Sequence, residues 1–155
     1  MDQGIEFRQQ LVQEYKQSVM PLLRYLPWLE QQNGRRVSSI YGGENISEHS
    51  VAFPVYDGTL MNFVREASKS SLMDKNYRYV YTRNHLRNHD DERKLIEAAT
   101  WREWGNLKGI LSKYVLEGRI KGLMWSEGVQ EGIFYLVLKQ MREIIEYWDR
   151  PMDLR

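Results

Sequence analysis

The sequence predicts a mainly α fold: a compact bundle of five or six helices with a small β-hairpin near residues 37–53. Three observations carry this. Apolar side chains recur at three- and four-residue spacing over most of the chain. β-Branched and aromatic runs separated by turn residues are confined to one short region. The 155 residues are 42% hydrophobic and 28% charged, a water-soluble globular composition at a length that suits one domain. The domain is read as 1–155, with a flexible tail at 151–155.

The elements follow in chain order. Ile5, Leu11, Tyr15 and Val19, widened by Phe7 and Val12, mark one face of a first helix over 5–20. Pro21 predicts a bend, because proline lacks a backbone donor and clashes with the preceding turn. A second helix carries Leu22, Leu23, Leu26 and Leu29 and stops at Asn33-Gly34. Val37–Tyr41 and Ser50–Phe53, joined across Gly42-Gly43, read as the hairpin, with Pro54 at its end or edge. Thr59 is the expected N-cap of a helix to about Ser70 whose buried stripe is Leu60, Phe63, Val64 and Ala67.

Residues 74–85 fit both templates: Tyr77, Tyr79 and Tyr81 alternate as in a strand, while Tyr77, Val80, Tyr81 and Asn84 fit a helix begun at Asp74. Asn88 or His89 caps the next helix, and Asp90, Asp91 and Glu92 in its first turn complement the positive helix start. Leu107, Ile110, Leu111, Tyr114 and Val115 stripe a helix over 106–117. A long helix over 126–148 is expected as the spine, with Val129, Ile133, Phe134, Val137, Leu138, Met141, Ile144, Ile145 and Trp148 facing inward and Pro151 ending it.

Composition excludes several function classes. The absence of cysteine rules out disulfides, zinc–thiolate sites, iron–sulfur clusters and a cysteine nucleophile. Charges interrupt the first twenty residues and no long apolar run exists, so the expectation is a cytoplasmic protein without a signal sequence or membrane partner. Net charge is +1, and its two halves are nearly neutral: residues 1–74 hold 7 Lys+Arg against 9 Asp+Glu, and 75–155 hold 15 against 12. Whole-domain electrostatics therefore give no long-range attraction to nucleic acid or anionic lipid.

No nucleophile elbow, phosphate loop or dinucleotide fingerprint is present. No catalytic, cofactor-binding or metal-ligating residue is assigned. His85 and His89 stand four apart, a spacing that shares a metal on a continuous helix, but Asn88 and the acids after it start a new helix there and break that face. The most distinctive stretch is Lys75–His89. Lys75, Arg78, Arg83 and Arg87 alternate with Tyr77, Tyr79 and Tyr81, without an acid. Arg78, Tyr79, Arg83, His85 and Arg87 are the candidate patch for nucleic acid or a partner, since cations interleaved with aromatics track phosphates while stacking bases. The alternative places the tyrosines inside and the arginines in water. Gly105/Gly109, Gly118/Gly122 and Gly128/Gly132 are each four apart, which permits close backbone approach, either inside the fold or across a self-association face.

Phe53-Pro54-Val55-Tyr56-Asp57, Leu60, Phe63, Asp74–Tyr77 and Leu107–Val115, followed by Trp125, Glu127, Gly132 and Ile133, resemble an uncharacterised bacterial family. It consists of small helix-rich stand-alone domains, common in Gram-positive bacteria and their mobile elements. The similarity spans about Leu22–Trp148 and implies a helix over 75–85. It carries no activity over. Many members have an Arg-Gly-Glu-Arg-like stretch, which Leu116-Glu117-Gly118-Arg119 of this chain matches in part.

Three functions are expected in order: a non-catalytic interaction or accessory module binding a protein partner or itself; nucleic-acid binding through Arg78, Arg83 and Arg87; and an enzyme using His85, His89 or Glu44 at an unfamiliar site.

Overall fold

Leucine, isoleucine and aromatic residues at helical spacing dominate the described chain, and helices are what they build. The computed structural model describes residues 2–35, 38–40, 54–121 and 123–150. The helices are α1 (Asp2–Leu23), α2 (Leu26–Gln32), α3 (Gly58–Lys69), α4 (Tyr77–Arg83), α5 (His89–Ala98), α6 (Trp104–Glu117), α7 (Met124–Gln130) and α8 (Ile133–Asp149), with a 3-10 turn at Trp101–Glu103. Two three-residue strands, β1 (Ser38–Ile40) and β2 (Pro54–Tyr56), pair antiparallel, Ser38 opposite Tyr56 and Ile40 opposite Pro54.

The expectation of five or six helices with a hairpin over 37–53 is thus overturned. Among the described residues eight α-helices carry the fold, and strand pairing shrinks to that one short ladder. The strand expected at 50–53 lies outside the described residues. So do Glu44 and the tail at 151–155.

The extra helices come from breaks that periodicity does not show. The spine expected over 126–148 is two helices. Gly132 sits in the left-handed region at φ 73°, a conformation that costs glycine nothing, and the chain turns there between α7 and α8. A Cβ on Gly132 would also come within 2.8 Å of the Asn33 side chain, so the turn is seated against the end of α2. Pro21 makes no break, since α1 continues to Leu23 and the interruption falls at Arg24-Tyr25. Proline recurs where it is tolerated, as Pro27 in the first turn of α2. The cap of α3 is Asp57, whose carboxylate accepts from the Thr59 N–H at 2.7 Å, rather than Thr59 itself. Residues 77–83 are helical, and Asn88 caps α5 by accepting from the Asp91 N–H.

The core lies around α6 and α8. Ile133, Phe134, Val137, Leu138, Met141, Ile144 and Ile145 line the inner face of α8, and α1, α2, α5, α6 and α7 pack against it. α6 buries Leu107, Ile110, Leu111, Tyr114 and Val115 against α3, α4, α5, α7 and α8. α1 presents Val12, Val19 and Leu22, with Tyr15 stacked on Trp104 at 4.2 Å; Phe7, expected inside, is exposed. Ring edges meet ring faces at the centre, where Phe63 and Tyr114 both contact Phe134.

Glycine makes this packing close. A Cβ on Gly109 would lie 2.6 Å from Val80, one on Gly128 would lie 2.6 Å from Phe134, and one on Gly118 would lie 2.0 Å from the Trp125 Nε1. The four-residue glycine spacing therefore serves internal contacts at these positions. Gly105 has open space around it. Trp125 lies across the end of α6 and donates from Nε1 to the Val115 carbonyl at 2.9 Å.

Substituting Gly118→Ala forces that indole off its seat, and stability should fall by roughly 1–3 kcal/mol, the usual cost of overpacking. Phe134→Ala, which leaves a cavity between α6 and α8, should cost about 3–5 kcal/mol. Chemical denaturation of both variants checks this. Wild-type stability in Gly118→Ala would mean Trp125 does not cover α6.

Candidate functional site

Among the described residues Glu92 is the buried acid. Asn88 caps α5 from one side, while the Asp91 carboxylate reaches back to accept from the Arg87 N–H at 3.0 Å. This sets His89 and Glu92 one turn apart on the face that also holds Ile96. Glu92 is 2% exposed. Its Oε1 accepts from the Tyr114 hydroxyl at 2.8 Å and lies 2.9 Å from His89 Nδ1; its Oε2 accepts from the Tyr81 hydroxyl. His89 Nε2 lies 2.8 Å from a Glu127 carboxylate oxygen. Four helices thus meet through side chains: Tyr81 of α4, His89 and Glu92 of α5, Tyr114 of α6 and Glu127 of α7.

A small cleft of about 190 Å³ opens over the cluster, rimmed by Leu86, Arg87, Asn88 and Lys113. The Lys113 ammonium stands 4.4 Å above the Tyr81 ring. Burial first, and then the Glu92 carboxylate beside them, push the Tyr81 and Tyr114 hydroxyls far above the ordinary tyrosine value. Both nitrogens of His89 and both oxygens of Glu92 are engaged within the cluster. Among the described residues no group of three or more histidine or acidic side chains is arranged to hold a metal.

The sequence placed Glu92 in a first turn as a charge that complements the helix start, and the structure buries it there. The missed signal is its spacing. Glu92 stands four residues before Ile96 and seven before Ala99, on the stripe that faces inward.

The stretch from Lys75 to His89 divides, with the candidate patch on its outer side. Tyr77 and Val80 are buried and Tyr81 turns into the cluster, whereas Arg78, Tyr79, Arg83, His85 and Arg87 are all on the surface. Tyr79 is 65% exposed, with the Arg83 guanidinium 5.5 Å from its ring centre. Arg83 also donates to Asn106 Oδ1 at 2.8 Å, which helps to satisfy that buried amide. His85 follows α4 at φ 54° and His89 begins α5, so the two histidines share no helix face.

A third feature escaped the sequence reading. α1, the 3-10 turn and α8 enclose a cleft of about 550 Å³ lined by Arg8, Trp101, Arg102, Glu143, Tyr147 and Trp148, with Ile144 also in the lining. Thr100 and Glu103 form a reciprocal cap that seats Trp101 at the start of the turn. The Arg8 and Arg102 guanidiniums each lie 5.5 Å from the Trp101 ring centre. Trp101 meets Trp148 edge to face at 6.5 Å. The residues come from 8, 99–102 and 140–148, and only the fold assembles them.

No described helix is long and apolar enough to cross a membrane. The raised tyrosines set an alkaline limit. A hydroxyl whose folded value exceeds its unfolded value of 10.0 stabilises fully below that pH, and the contribution is lost as pH climbs above it. Stability should therefore fall above about pH 10, by about 1.4 kcal/mol per pH unit for each locked hydroxyl. Tyr114→Phe should flatten the slope. Tyrosinate absorbance followed with unfolding checks it: full ionisation of all ten tyrosines in the folded protein would refute the locked cluster. Comparison with models of known protein families, with curated proteins and with solved structures finds no match to the chain in any of the three, so no family is assigned.

Proposed function

We propose that this chain is a non-catalytic interaction module whose ligand is another protein. One observation carries the reading: the His89, Glu92, Tyr81, Tyr114 and Glu127 side chains at the polar cleft are engaged by one another. General acid–base or nucleophilic work needs a group free to meet a substrate, and His89, Glu92, Tyr81 and Tyr114 are held in a closed set of hydrogen bonds. The larger cleft is aromatic and cationic, the residue mix enriched where proteins meet. Self-association through the spaced glycines finds no support, since Gly109, Gly118, Gly128 and Gly132 are used in internal contacts. Cytoplasmic location, and an accessory role in a bacterial mobile element, belong to the same proposal; the first is supported by the lack of a long apolar run and the second by the resemblance carried by 53–57 and 107–115.

The test is reconstitution. Tagged protein should retrieve a partner from its source cells, and the purified pair should re-form a complex whose affinity changes less than about two-fold in Glu127→Gln, with folding verified by circular dichroism. A folded Glu127→Gln protein that loses the partner would transfer function to the cluster. Failure to reconstitute any complex would defeat the module reading.

A second reading, nucleic-acid binding, is favoured by the exposure of Tyr79 beneath Arg83 beside Arg78, His85 and Arg87. Single-stranded oligonucleotide binding should then weaken steeply between roughly 50 and 200 mM salt. It should also fail in the Arg78, Arg83 and Arg87 triple alanine variant. Binding indifferent to either change would dismiss this face.

A further inference from the structure

The chain's arginines are not all equally occupied. Arg24 pairs with Glu66, Arg93 with Asp90 and Glu131, and Arg142 with Glu146, while Arg83 donates to Asn106. Arg8 and Arg102 have no carboxylate partner among the described residues. Both instead flank Trp101 at 5.5 Å, one from α1 and one from the 3-10 turn. A guanidinium resting on an indole keeps its fork of N–H donors available, and that fork matches a carboxylate in bidentate geometry. Behind them lies an apolar floor of Trp101, Trp148 and Ile144, the last only 7% exposed.

Resting on the module reading above, we infer that this cleft receives an acidic peptide segment of the partner protein, in which carboxylates meet Arg8 and Arg102 and a neighbouring aromatic or aliphatic side chain lies against Trp101 and Trp148. Charge complementarity selects this occupant. Two free guanidiniums face a single lining acid, Glu143, so the cleft attracts one or two isolated negative charges. A continuous phosphate backbone fits less well, because Glu143 stands in its path and the basic residues of α4 lie outside this lining. A cleft of about 550 Å³ is within the range that encloses a small ligand, and it accommodates one or two side chains with their backbone. The Thr100–Glu103 cap fixes the turn beforehand, which lowers the entropy lost on binding.

A random dodecapeptide library displayed on phage, panned on the full-length chain, supplies the probe. Enriched sequences should place Asp or Glu within a few positions of Phe, Trp, Leu or Ile. The best synthetic peptide, followed by fluorescence polarisation, should bind at least ten-fold more weakly to the Arg8→Glu/Arg102→Glu variant and weaken with salt, while Arg78→Glu leaves it unchanged. Arg102→Ala, a milder change at an exposed position, serves if the double variant fails to fold. Enrichment of peptides without acids, absence of any enriched binder, or affinity held within two-fold in the folded variants would overturn the inference. Concentration-dependent dimerisation abolished by the same variants would assign the cleft to a second copy instead, and oligonucleotide that displaces the peptide would assign it to nucleic acid; either outcome counts against the peptide. These results separate from the module reading: a reconstituted partner complex untouched by Arg8→Glu/Arg102→Glu leaves the module standing and removes only this site.

Discussion

The Glu92 carboxylate, taken out of water and held by two tyrosine hydroxyls and a histidine, is the interaction on which the arrangement of α4, α5 and α6 depends. A buried charge costs several kcal/mol unless its lone pairs are satisfied, and the satisfaction here comes from α4 and α6 together with His89 of its own helix. Any displacement of α4 or α6 relative to α5 would strand the acid. The cluster is therefore better understood as a specificity device than as a source of net stability. It admits one mutual placement of these helices, where greasy surfaces alone would tolerate several.

Steric closeness supplies the complementary constraint. Val80, Trp125 and Phe134 occupy space that a Cβ on Gly109, Gly118 or Gly128 would fill, so α4, the start of α7 and the start of α8 approach their neighbours through glycine. Each glycine inside a helix weakens that helix by up to about 1 kcal/mol relative to alanine. Seating a large aromatic or branched side chain in the gap offsets that, because interiors packed to crystal-like density return dispersion and transfer energy over many contacts. The Gly132 turn belongs to the same scheme: it redirects the chain so that α8 runs through the centre rather than continuing α7.

The two clefts differ in kind, and the difference is what shapes the functional reading. Over Glu92 the polar groups are turned inward upon each other. Between α1 and α8 the cations are not: the Arg8 and Arg102 guanidiniums lie against the Trp101 ring, and no carboxylate among the described residues pairs with them. Closed polar sets hold structure; open cationic and aromatic ones are available to another molecule.

How much of this was legible in the residues depends on the range of the interaction concerned. Local rules alone determined a helical chain, the stripes of α3, α6 and α8, and a cap at Asn88 or His89, because periodicity and capping are properties of neighbours within a turn or two. Composition likewise excluded cysteine chemistry. The break at Gly132 and the continuity of α1 through Pro21 were decided by tertiary packing, which overrides weak local preferences. So was the burial of Glu92: its helix-start position reads as solvated until Tyr81 and Tyr114 arrive from helices 11 and 22 residues away. The aromatic cleft lay furthest from view. Arg8, Trp101 and Trp148 are separated by most of the chain, and no local spacing relates side chains that only the packing of α1 against α8 brings together.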